Sequence, residues 1–268
     1  MKKIFKVLLA FIVVFTFCGC SSKPKDDAVF LENLEKGLSD CWLYVESTLD
    51  NADMYEVKEY KGKLNEVVQK ELTQLGEFSE YTFSDDTLKD LAKKYYEALN
   101  LTKEGVQYYD PDDLFMEEGK FADSYFLGTY QRYIILDTLT KNYDFMKDSP
   151  KKAKLEETLS DIDEAKSFIA KHDYKNYLKD NLKFTYDKEQ SDEYSSYYTA
   201  IIENITEVEF DSISITADIL DKDGIIIEQS YAGTSNFKPG AKAKLEIWLD
   251  AEEPFGSIEV SNIDIYVE

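Results

Sequence analysis

The chain has 268 residues, with 54 acidic side chains against 31 basic ones and a formal net charge of −23 at pH 7. A surface this acidic is repelled by phosphate backbones and anionic headgroups, which excludes nucleic acid and argues against acidic wall polymers as partners. Hydrophobic residues at 43% exclude a disordered chain and supply enough apolar surface for one or two packed domains.

The first elements are addressing signals. Lys2, Lys3 and Lys6 form a basic start, Val7 to Phe17 carries no charge, and Phe17-Cys18-Gly19-Cys20 closes the stretch. An apolar run of about 7–15 residues after a basic start reads as a secretory signal, shorter than the roughly 20 residues of a spanning helix. The junction resembles the bacterial lipobox, with Gly19 at the small position and Cys20 as the lipid acceptor, although Phe17 stands where a Leu-like residue is usual. That resemblance implies a signal peptide over 1–19 and a lipid anchor with a polar tether over 20–27. The implied location is the extracellular face of the bacterial cytoplasmic membrane, held by lipid on Cys20. Each buried CH₂ of such a lipid contributes about 0.8 kcal/mol of membrane affinity. With Cys18 removed and Cys20 acylated, Cys41 is left without a disulfide partner, so the fold must rest on packing.

Over 28–180 the hydrophobic spacing is helical. One stripe runs through Leu31, Leu34, Leu38, Cys41, Val45 and Leu49, which reads Cys41 as a small buried hydrophobe with Trp42 flanking it. A second runs through Val57, Tyr60, Leu64, Val67, Leu72 and Leu75. A third follows Ser84, taken as the N-cap, through Leu88, Leu91, Tyr95, Leu99 and Val106. Asp110-Pro111-Asp112-Asp113 breaks the chain before a fourth helix with Phe121, Tyr125, Gly128, Ile135 and Leu139. Ser149-Pro150 reads as a cap followed by Pro at the first helical position, opening a fifth helix through Leu155, Leu159, Ile162 and Ile169. About five amphipathic helices joined by short turns predict an all-α bundle. The single arginine, Arg132, among lysines reads as coding bias without functional weight.

Over 181–268 the period changes to two. Alternation marks Leu182 to Tyr186, then Phe210, Ile213, Ile215, Ala217 and Ile219 with one slip. It returns in Ala243, Leu245, Ile247 and Leu249, and again in Ile258, Val260, Ile263, Ile265 and Val267. Turn signals fall between these runs at Asn204-Ile-Thr-Glu, Asp221-Lys-Asp-Gly224 and Lys238-Pro-Gly240, and Asp187 to Ser196 reads as a polar linker. Six or seven short strands predict an antiparallel sandwich. The fold class is therefore α+β in two domains, a helical bundle followed by an antiparallel β-sandwich.

The C-terminal part resembles the FxLYD domain, an immunoglobulin-like module, which implies that the sandwich is immunoglobulin-like. The likeness is carried by Ile202-Glu-Asn204-Ile-Thr206 at a strand end, by Asp221-Lys-Asp-Gly224 as the hairpin after the naming motif, and by Pro239-Gly240 before the strand Lys244 to Trp248. The naming motif survives as Ala217-Asp218-Ile219-Leu220-Asp221, which keeps the Asp but not the Phe or Tyr. The resemblance implies a sandwich in an envelope setting and no particular reaction.

Chemistry-bearing patterns are sparse. The one histidine, His172, is placed at the end of the fifth helix, where the dipole favours it. One His and one free Cys serve zinc poorly. Asp110 to Asp113 and Asp221 to Asp223 lack the spacing of a calcium loop and read as turn chemistry. No catalytic, cofactor-binding or metal residues are assigned, and no cofactor is implied. The expectation is a non-catalytic envelope interaction module with a protein or glycan partner. Alternatives are an envelope hydrolase using carboxylates of the helical half, and a solute-binding or sensor subunit. Contact between the two parts would give a further place for a site, since pockets often form at such junctions.

Overall fold

The computed structural model describes residues 25–113, 119–250 and 256–267. The expected signal segment and Cys20 lie outside them. The architecture is α+β in two regions, helices followed by two antiparallel three-stranded sheets. No helix among the described residues is long and apolar enough to cross a membrane.

The helical part contains α1 (Asp27–Tyr44), α2 (Val57–Leu75), α3 (Asp86–Gly105), α4 (Leu127–Tyr143), α5 (Lys152–Thr158) and α6 (Ile162–Asn181). A 3₁₀ turn, Leu159–Asp161, joins α5 to α6, so the two make one interrupted rod and the bundle has five. Two helices carry a turn of π-helix: Val45–Leu49 extends α1 and Ala122–Phe126 leads into α4.

Each helix turns its stripe inward. Leu34, Leu38 and Cys41 are buried as the spacing requires, joined by Phe30, while Leu31 is only partly buried. The inward face thus keeps the middle of the stripe and takes in Phe30 ahead of Leu31. A fully buried side chain of this kind contributes about 1.5–3 kcal/mol. Leu34, Leu75, Leu88, Tyr95, Leu99, Leu136 and Leu139 fill the centre of the bundle.

Two caps differ from expectation. The N-cap of α3 is Asp85, whose Oδ1 accepts from Thr87 N at 2.8 Å and Leu88 N at 3.2 Å. Ser84 instead donates from its backbone N to Asp27 Oδ1 at 2.9 Å, tying the loop to the start of α1. A carboxylate caps better here because it also faces the positive end of the helix dipole. Pro150 is not the first helical residue either: α5 starts at Lys152, and Ser149 Oγ accepts from Lys151 N at 3.1 Å within the preceding turn.

The sandwich consists of β1 (Thr185–Tyr186), β2 (Ser195–Glu203), β3 (Phe210–Leu220), β4 (Ile226–Phe237), β5 (Lys242–Asp250) and β6 (Ser257–Tyr266). One sheet has the order β1-β2-β5 and the other β4-β3-β6. Phe210, Ile213, Ile215, Ala217 and Ile219 all point into the core, facing Leu245, Ile247 and Leu249 from the opposite sheet. The slip lies between Phe210 and Ile213, as expected. The runs containing Ile258 and Ile265 are one strand, β6, with a bulge opposite Thr216 and Ala217 that resets the alternation. The expected strand over Leu182 to Tyr186 is reduced to two residues.

Helix α6 joins both parts. Tyr174 and Leu178 sit in the sandwich core, and the Tyr174 ring stacks on Phe210 with centroids 5.1 Å apart. Its hydroxyl donates to the Glu203 carbonyl at 2.9 Å. The same helix packs on α4 and buries Ala165 completely.

The bundle also encloses a polar centre. Glu71 has no exposed surface, and its Oε2 accepts from Arg132 Nη2 at 2.5 Å. Its Oε1 accepts from the Tyr95 hydroxyl, and Arg132 Nε donates to that hydroxyl at 3.4 Å. Arg132 therefore has a specific structural role that a count of arginines against lysines does not reveal. Arginine suits this place because its guanidinium stays charged and spreads several donors in one plane. Helices α3 and α4 approach closely beside this centre. A Cβ on Gly128 would lie 2.5 Å from the Ala98 carbonyl oxygen, and one on Gly105 would lie 2.4 Å from Tyr125 N.

Three outcomes follow for unfolding experiments. Arg132→Leu strands a buried carboxylate and is expected to lower stability by about 3–5 kcal/mol in urea melts, whereas Glu71→Leu combined with Arg132→Met recovers most of it. Gly128→Ala forces the helices apart and destabilises by about 1–3 kcal/mol. Burial pushes the Cys41 thiol from its ordinary 9.0 up to about 12, and Tyr95 is raised for the same reason. In that window the unfolded chain has released protons that the folded chain still holds, so stability falls as pH rises from about 9 to 12. A melting temperature constant through this range would contradict it.

Candidate functional site

Both parts together build a groove of about 1070 Å³ between the bundle and the sandwich. Helices α3, α4 and α6 form one wall, and the loop between β2 and β3 forms the other. Its floor is aliphatic: Ile134 and Ile135 from α4, with Ile169 and Ala170 from α6. Opposite them stand Ile205 and Val208 of the loop, and Ile205 is 59% exposed. Tyr174 closes the inner end where the two parts dock.

The loop is rigid because of Asn204, which is 1% exposed. Its Nδ2 donates to the Val208 carbonyl at 2.9 Å and the Phe237 carbonyl at 2.8 Å. Its Oδ1 accepts from Thr206 N at 3.0 Å and Thr206 Oγ1 at 2.8 Å. Both protons of the amide nitrogen and both lone pairs of the oxygen are therefore used. The backbone of Asn204 bonds in addition to Ala241 O at 3.0 Å and Gly240 N at 2.8 Å. Expected only as a strand end and turn, Asn204 and Thr206 fix the loop that presents Ile205 and Glu207 to the groove.

The rim is charged with both signs. Lys94 and Glu97 come from α3, Lys166 and Asp173 from α6, and Glu207 from the loop. Lys94 is held by Asp90 at 2.7 Å and Lys166 by Asp163 at 3.0 Å, so each lysine already has a carboxylate on its own helix. The hydrogen bond to Asp163 also raises the Lys166 pKa. The arrangement sets an aliphatic floor inside a ring of polar groups that can fix orientation, which is how ligand-binding clefts are built.

The residues weighed from sequence do not line this groove. Cys41 is in the bundle core, beside the Glu71–Arg132 pair whose charges act on its thiol. His172 lies in the middle of α6, not at a helix end, which corrects the dipole reading. Its Nδ1 is 3.2 Å from Asp173 Oδ1 and its Nε2 4.0 Å from Asp123 Oδ1. Asp221 is a turn residue: its Oδ1 accepts from Asp223 N at 2.8 Å and Ile225 N at 2.9 Å. Among the described residues no group of three or more His, Cys, Asp or Glu side chains could hold a metal ion. Comparison with family models, curated proteins and solved structures gives no match for this chain.

Asn204→Ala removes four hydrogen bonds, among them the buried one to the Phe237 carbonyl. It is expected to cost about 1–3 kcal/mol, and Asn204→Asp more, because a carboxylate then faces those carbonyls. Hydrogen exchange should quicken at residues 205–208 before it changes in the bundle; uniform loosening of the whole chain would show that the loop is not separately braced.

Proposed function

We propose that the chain is a lipid-anchored, extracytoplasmic binding module with an FxLYD-like sandwich, and that the groove between its two parts holds an apolar segment of another envelope protein. The observation that carries this reading is the rigid, apolar groove itself, braced by Asn204 on one side and by the docking of Tyr174 at its inner end. A preformed lip loses little conformational freedom on binding, which favours recognition by surface complementarity. A protein segment fits better than a glycan, because sugars stack on aromatic faces while this floor is built from isoleucine and alanine. The anchor would come from Cys20 and the export signal from residues 1–19, on the strength of the lipobox resemblance. With an acidic body, the domain would stand off an anionic leaflet and present the groove to neighbouring proteins.

Binding is favoured over hydrolysis on the disposition of the acids. The fully buried carboxylate, Glu71, is committed to Arg132 and Tyr95. The carboxylates of the groove stand at its rim around an aliphatic floor.

The test is photo-cross-linking from position 205 in intact envelopes, with Ile169→Asp and Cys20→Ala as separate variants. One reproducible protein should be captured, and Ile169→Asp should lower its yield about tenfold, since it places a charge on the apolar floor. Cys20→Ala should release the chain from the membrane fraction without unfolding it. Capture that is indifferent to Ile169→Asp, or turnover of a wall substrate that survives purification, would replace this reading.

A further inference from the structure

A second surface, away from the groove, lies along β4. This strand is twelve residues long and hydrogen-bonds to β3 on one side. The strand that follows it, β5, belongs to the opposite sheet, and among the described residues no strand pairs with the other side of β4. Its row of backbone donors and acceptors is a template for another strand. Natural edges are usually kept short or interrupted by lysine or proline, and β4 contains neither. At its start Ile225 is 62% and Ile226 54% exposed, and Tyr231 is 66% exposed in its middle.

Within the strands of this sheet the charge has one sign, the nearest lysines being Lys222 in the turn before β4 and Lys238 just after it. The strands of the β4-β3-β6 sheet contain Asp211, Asp218, Glu228, Glu259 and Asp264, and no lysine or arginine. The other sheet is balanced: Lys242 pairs with Glu203 at 3.1 Å, and Lys244 with Asp187 at 3.1 Å and Glu246 at 3.2 Å. A second copy is disfavoured as the occupant, because it would bring the same acidic sheet and a further −23 of net charge against the first. Glu228 adds to this: it stands opposite Ile219, in the inward register, where a charge blocks edge-to-edge self-association.

We infer that the free edge of β4 takes an added strand: an extended segment of a partner protein in which apolar residues alternate with lysine or arginine. The main-chain ladder supplies affinity, as in other cases of strand addition. Ile226 and Tyr231 give the apolar side chains a surface, and the acid-only sheet selects the basic ones. Strand spacing of about 4.8 Å brings the added side chains within a Debye length of Glu228 on β4 itself, with Asp218 two spacings away on β3. This surface is independent of the groove, since no residue of β4 lines that cavity.

The probe is a fluorescent peptide of about ten residues, a length matched to one strand, alternating valine and lysine. Its valine–glutamate counterpart and a scrambled valine–lysine peptide serve as controls. Titrated against the intact protein, the alternating basic peptide should bind, slow hydrogen exchange across Ile226–Phe237, and weaken about tenfold in high salt. Tyr231→Lys and Ile226→Lys, both at exposed positions and checked by an unchanged melting temperature, should each weaken it about tenfold. Equal binding by the acidic or the scrambled peptide would overturn the inference. So would binding without protection of β4, or a concentration-dependent dimer that protects β4 with no peptide present.

Discussion

Helix α6 belongs to two cores at once, and the arrangement of the molecule depends on that fact. A helix has side chains on every side, so one rod can bury Ala165 against the bundle and Tyr174 with Leu178 among the strands. Tyrosine suits the crossing point because its ring stacks on Phe210 while its hydroxyl satisfies the Glu203 carbonyl at the end of β2. The loop that follows Glu203 then begins at a fixed height above α6, and Asn204 holds it there. The groove is the space left between these constraints. It exists because a rigid helix and a rigid loop are pinned at one end and diverge.

A second constraint acts inside the bundle. The ion pair of Glu71 and Arg132 is out of water, so its geometry matters more than that of any exposed pair. Tyr95 completes it by donating to Glu71 and accepting from Arg132, which joins α2, α3 and α4 at one point. Such a centre adds little net stability over an apolar core, yet it penalises packings that leave one charge unpaired. The small residues Gly105 and Gly128 lie where α3 meets α4 and the π-helical turn before it, letting backbones approach to contact. The bundle is thus specified by shape and by charge together.

The distribution of surface charge separates the two faces of the sandwich. On one sheet, lysines and acids neutralise each other across β2 and β5; on the other, carboxylates stand without a basic residue in the same strands. A net charge of −23 repels phosphate backbones and other copies of the chain in a general way. The local imbalance beside an unpaired edge is a more specific property, because it discriminates between partners that could form the same backbone ladder.

Much of the fold was legible in the sequence because periodicity is a local property. Spacings of three and four marked the helices, and alternation marked β3, β5 and β6, since a buried face repeats with the geometry of its own element. Strand β4 was hidden because its exposed edge position leaves the alternation weak, and β2 lay partly within the presumed linker. A signal for the polar centre was present: Glu71 follows Leu64 and Val67 and precedes Leu75 on an apolar stripe, and Arg132 follows Gly128 and precedes Ile135 and Leu136. A charge on such a stripe has to find a partner, but one helix cannot say which. By itself the sequence determined the class of most elements, the order of the two parts and the acidity of the whole. The pairing of Glu71 with Arg132, the double role of Tyr174, the groove above α6 and the free edge of β4 were decided only by tertiary structure. Each of these joins or leaves apart segments distant along the chain, and such relations are fixed by packing between elements, not by the period within one.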